Sequence, residues 1–122
     1  MKEGRIAYAE LLTFAAGVLG KLGYSAEEAE ISAQGLVEAD ARGVPSHGVA
    51  RLSFLERIQN EGAVHPQTEP EIVHETPLSL VVDGHDGVGS YIAQFAIDRV
   101  LPRARSLGVG FAAVRNAGHF GM

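Results

Sequence analysis

Cysteine is absent from the 122 residues. That excludes a disulfide scaffold, a thiolate metal site and a cysteine nucleophile. Basic runs are absent too, and the formal net charge is −5. A nucleic-acid or anionic-membrane footprint therefore has no support, and neither partner is expected. No apolar run is long enough to span a bilayer. The nearest approach, LLTFAAGVLG from Leu11 to Gly20, follows Lys2 and Arg5 as a leader peptide would. Glu3 and Glu10 spoil that basic leader, and no small-x-small cleavage site follows. The expectation is a soluble, cytoplasmic protein. The five histidines show no close pairing such as H-E-x-x-H, so no metal site is expected.

What is present suits one domain of ordinary size. Apolar residues make up 46%, enough to build a core. Leu11, Leu12, Ala15, Val18, Leu19 and Leu22 recur at helical spacing, and Gly23 is a C-terminal cap. Ser25 and Glu28 form an S-x-x-E capping box for a second helix, with Ala29, Ala33, Leu36 and Val37 on its buried face. Gly43 and Pro45 break it. A third helix is predicted from about Ser46 to Gln59, using Val49, Leu52, Leu55 and Ile58. HPQTEP, from His65 to Pro70, reads as a linker.

The pattern then changes. EIVHE and LSLVVDG read as two short strands. SYIAQFAIDRVLPRARSLG reads as a helix burying Ile92, Phe95, Ala96 and Val100, with Pro102 expected to kink or shorten it. VGFAAVR reads as a further strand. The predicted class is α/β. A helical segment (1–62) and a linker with an edge strand (63–77) precede a strand–helix–strand unit (78–122) in a mixed sheet with a parallel pair.

Ligands in open α/β sheets bind beyond the carboxyl ends of parallel strands. GHDGVG and NAGHFG are both predicted to lie at such ends, opening on one edge. In GVPSHGVAR, Pro45 and Ser46 suit a helix start, placing His47 in the first turn and Arg51 four residues on, on the same face. A helix start attracts anions and favours a neutral imidazole, and Arg51 can grip a carboxylate at two points. The same residues can equally be a capping serine, a surface histidine and an arginine paired with Glu38 or Asp40. In RNAGHFG, Gly118 and Gly121 permit close approach to a flat ligand, and His119 can act as general acid or base. A tight turn with a structural histidine fits that stretch as well. DGHDGVG is a strand-to-helix turn and not a phosphate loop, because its order is G-x-x-G-x-G. His85 and Asp86 are turn residues, and His65 and His74 are surface residues.

D-x-R-G-x-x-S-H-G-x-x-R, from Asp40 to Arg51, and the closing R-N-x-x-H-F-G closely resemble the malate/L-lactate dehydrogenase family, which is distinct from the Rossmann-type enzymes. The resemblance extends over nearly the whole chain and implies that family's own, non-Rossmann fold. It also implies hydride transfer between NAD or NADP and the C2 of a small 2-hydroxy or 2-oxo acid. Under it, His119 and His47 are the catalytic candidates, Arg51 and Ser46 face a small carboxylate substrate, and Asn116, Gly118 and Gly121 lie on the cofactor side. It further implies a homodimer. Family members continue past R-N-x-x-H-F-G, so the chain is expected to be an N-terminal portion, inactive alone and lacking most dinucleotide contacts. Association with a missing remainder, or a non-catalytic interaction module, is the alternative.

Overall fold

A computed structural model describes residues 4–120. Four α-helices, a short 3-10 turn and three strands follow one another: α1 (Tyr8–Lys21), α2 (Ala26–Ala41), the turn Pro45–His47, α3 (Arg51–Asn60), β1 (Glu71–Glu75), β2 (Ser79–Gly87), α4 (Gly89–Leu107) and β3 (Phe111–Ala117). The sheet order is β1-β2-β3, with β1 antiparallel and β3 parallel to β2. The α/β class and the mixed sheet are as the sequence predicts.

The helical stripes pack as their spacing requires. Ala15 and Leu19 of α1 meet Ala29, Ala33 and Val37 of α2, and Leu52 of α3, in one buried cluster. Burying a leucine side chain contributes about 1.5–3 kcal/mol. Gly23 has φ +101°, which lets the chain reverse between α1 and α2. The capping box forms in full: Glu28 N–H donates to Ser25 Oγ (3.2 Å) and Ser25 N–H to Glu28 Oε2 (2.7 Å). Glu28 does more than cap. It is 2% exposed and also accepts the Gln67 N–H at 3.0 and 3.1 Å, which pins the HPQTEP linker to the start of α2. Burial and the Glu28 charge push the neighbouring Tyr24 phenol up to about 12.

A second cluster joins Leu80 and Val82 of β2 to Ile92, Ala96 and Val100 of α4, and Tyr91 packs against both clusters. Three expectations need correction. The third helix starts at Arg51, not Ser46, because Gly48 adopts an extended backbone (φ −86°, ψ −160°) after the 3-10 turn. Pro102 does not shorten α4, which runs on to Leu107. Pro102 is exposed, and the stripe it does not share holds the helix to the sheet. GHDG is not a loop past β2 but part of it. The pairing shifts between Asp83 and Gly87 and resumes at Gly87–Ala117, with His85 (φ +49°) and Asp86 (φ +60°) absorbing the irregularity. No helix among the described residues is long and apolar enough to cross a membrane.

Candidate active site

Two turns build the site, and each is held by a carboxylate. The first joins α2 to α3. Gly43, at φ +78°, ends α2. Asp40 then reaches forward to accept the Val49 N–H at 2.8 Å. Gly48 lies directly against that carboxylate, and a Cβ there would overlap all three of its terminal atoms. This accounts for the spacing of Asp40, Gly43 and Gly48 in the motif: one acceptor, one left-handed residue and one position with no side chain fix the path that carries His47 and Arg51. Arg51 does not pair with Glu38 or Asp40. Its Nε donates to the Ser46 carbonyl (3.1 Å) and its guanidinium lies over the Phe54 ring (5.1 Å). The terminal nitrogens bond to no other described residue, and Arg42 takes Glu38 instead at 2.7 Å. That contact holds the Glu38 carboxyl below its usual range.

The second turn follows β3. Asp83, 7% exposed, accepts the His85 N–H (2.9 Å), Arg115 Nε (3.1 Å) and Asn116 Nδ2 (3.2 Å to each oxygen). The His85 N–H, followed by the Asn116 and Arg115 side chains, lowers its pKa. Asn116 is left-handed at φ +51°, so β3 turns there toward the start of α4. The Gly118 N–H then donates to the Gly87 carbonyl (2.9 Å). Gly89 must lack a side chain, because a Cβ would strike the Gly118 and His119 carbonyls.

These turns bring His47, Arg51, Gly118 and His119 to one cavity of about 370 Å³. The two imidazole rings lie 5.5 Å apart between centroids, tilted by 45°. The helix-start field expected at His47 does not act there, because α3 begins four residues later. Two candidates do not line the cavity. Ser46 stands behind His47, with Oγ 3.0 Å from Nδ1, and so orients the ring. Asn116 is turned to Asp83 and braces the strand end. Gly121 lies outside the described residues. Among the described residues no cluster of three or more His, Cys, Asp or Glu side chains can hold a metal ion.

The cavity also has members that the motifs did not point to. Leu36, Leu55, Val64 and Phe120 give it apolar walls, and Ser32 and Ser90 meet in it at 2.8 Å. Ser32 had a readable signal: it is a hydroxyl within the apolar stripe of α2, between Ala29 and Ala33. Ser90 had none, since its approach to Ser32 depends on how α4 docks on α2.

The sequence pattern of the malate/L-lactate dehydrogenase family matches residues 6–122. This chain belongs to that family. It is 39% identical to a malate dehydrogenase of Pyrococcus abyssi, over 97% of this chain and 33% of that protein. It is 37% identical to the L-sulfolactate dehydrogenase of Methanocaldococcus jannaschii, over 86% of this chain and 30% of that one. The solved malate dehydrogenase of Pyrococcus horikoshii superposes with a TM-score of 0.93 at 34% identity, covering 98% of this chain and 34% of its own. The chain thus spans about a third of the length of the family relatives it matches.

Proposed function

We infer that this chain is the substrate-holding and proton-transferring part of a 2-hydroxy-acid dehydrogenase that uses NAD or NADP. The observation that carries the reading is the convergence of two imidazoles, 5.5 Å apart, with the Arg51 guanidinium in one cavity. Arg51 offers its terminal N–H groups to the substrate carboxylate. In the oxidation direction the C2–OH gives its proton to an imidazole nitrogen, and the C–O bond becomes a carbonyl as the C2 hydrogen leaves with its electron pair. His119 or His47 takes the proton, and with the rings adjacent the second can pass it on. Ser46 at Nδ1 holds the His47 ring and leaves its other nitrogen for this work.

The cavity suits the nicotinamide end of the cofactor. Leu36, Leu55, Val64 and Phe120 form apolar walls, and Gly118 presents bare backbone to a flat ring. When bound, the nicotinamide supplies the hydride acceptor. The sequence holds no G-x-G-x-x-G loop for the pyrophosphate. The remaining features of this reading are a cytoplasmic enzyme and a homodimer. An interaction or self-association module is the second reading, favoured by Phe111, which is 62% exposed on the strand β3 that, among the described residues, pairs only with β2. Light scattering of the purified chain, alone and mixed with a full-length relative, tests the second reading: a clean monomer with no affinity for that relative counts against it.

The test joins this chain to the C-terminal two-thirds of the Pyrococcus abyssi relative and follows nicotinamide reduction with 2-hydroxy acids. His119→Ala and His47→Ala are expected to lower turnover by about 10²–10⁴ where the imidazole moves the proton. Full activity in both variants removes the catalytic assignment. The 122-residue chain alone is expected to show negligible turnover.

A further inference from the structure

The two serines of the cavity do not balance as hydrogen-bonding groups. Ser32 Oγ and Ser90 Oγ lie 2.8 Å apart, and neither hydroxyl bonds to any other described residue. Two hydroxyls carry two protons and the pair uses one. The second O–H is left without a protein acceptor. Ser32 is only 5% exposed, so bulk water does not solvate it freely, and a buried donor left unmade costs about 1–3 kcal/mol. Both residues line the same cavity as Arg51 and the two histidines.

The surroundings favour a negatively charged acceptor. Ser90 sits in the first turn of the 19-residue α4, whose N-cap Val88 supplies no side-chain cap. The open N–H groups of that end add partial positive charge. Among the charged side chains lining the cavity, Glu38 is neutralised by Arg42, which leaves Arg51 as a net positive charge.

We propose that the Ser32–Ser90 pair is a specificity-determining point for the substrate's far end, donating its spare O–H to an anionic group such as a second carboxylate or a sulfonate. Arg51 holds the carboxylate beside C2, and the serine pair reads what lies beyond C2. The inference rests on the substrate reading given above. It makes the preferred substrate a diacid and disfavours an acid ending in a methyl group.

The test is a titration of the ¹⁵N-labelled chain with L-malate and, separately, L-lactate, following backbone amide shifts. L-malate is expected to bind about tenfold or more tightly than L-lactate, a difference of about 1.4 kcal/mol. The amides of Ser32 and Ser90 should move with malate and not with lactate. Ser32→Ala and Ser90→Ala are each expected to bring the two affinities within about twofold. Urea midpoints check that the variants fold, and Ser90→Ala, at a half-buried site, tests the same bond if Ser32→Ala does not. Equal affinities in the unaltered chain, or a preference that survives both substitutions, overturns the inference alone. Arg51→Ala addresses the underlying reading: it should weaken both acids, and no effect on either, or no binding of either acid to the unaltered chain, overturns the carboxylate anchor itself.

Discussion

Gly48→Ala should damage the chain far more than a glycine-to-alanine change normally does, and Asp40 should be the reason. The backbone at Gly48 (φ −86°, ψ −160°) is open to any residue. On conformational grounds alanine would stabilise by about 0.4–1 kcal/mol through the unfolded chain. The obstacle is the Asp40 carboxylate, which a Cβ at Gly48 would overlap. Relief requires the carboxylate to leave, breaking its 2.8 Å bond from the Val49 N–H. A hydrogen bond to a charged group is worth about 1.5–3 kcal/mol, and residual crowding adds about 1–3 kcal/mol. The net expected loss is about 2–5 kcal/mol. Asp40→Ala alone should cost about 1.5–3 kcal/mol, the same bond without the crowding. In the double variant the space is already vacated, so it should be more stable than Gly48→Ala by itself. Equilibrium urea unfolding of the four proteins gives the coupling energy directly. Additive losses, or a Gly48→Ala variant as stable as the parent, would refute the account of the turn that carries His47 and Arg51.

Two further stability predictions test the other carboxylates. Glu28→Ala removes the reciprocal half of the capping box and takes away the acceptor of the Gln67 N–H, for an expected loss of about 1–3 kcal/mol; a urea midpoint unchanged from the parent would contradict it. Asp83 has its pKa lowered in the folded chain, so its contribution is complete above the unfolded value, about pH 4. It fades as the pH falls through the folded value, because the unfolded chain binds the proton first. Urea midpoints measured from neutral pH downward should therefore drop in that window, and Asp83→Asn should flatten the drop; equal slopes in the two proteins would remove Asp83 from the explanation.

The elements written in local pattern were legible. The stripe from Leu11 to Leu22, the Ser25–Glu28 box, and the change to strand–helix–strand after residue 70 all follow from spacing and capping chemistry, which act within a few residues. Local rules misplaced the start of α3. Pro45 and Ser46 are good helix starters, yet the Asp40 carboxylate, a turn away in α2, captures the Val49 N–H and holds Gly48 extended. They also set GHDG outside β2, because the side chains that hold the shifted register, Asp83 with Arg115 and Asn116, belong to different strands.

By itself the sequence determined the family and the α/β class, and it singled out one arginine and two histidines as the candidates for chemistry, since residue types and motif spacing are written along the chain. The tertiary structure alone decided which of them meet. His47 and His119 are 72 positions apart and reach 5.5 Å only because the parallel pairing of β2 with β3 and the bare backbone of Gly89 bring the end of one strand beside the turn after α2. The same packing turned Asn116 away from the cavity and brought Ser32 to Ser90. Contacts between distant segments depend on burial and register across the whole fold, and no local pattern encodes them.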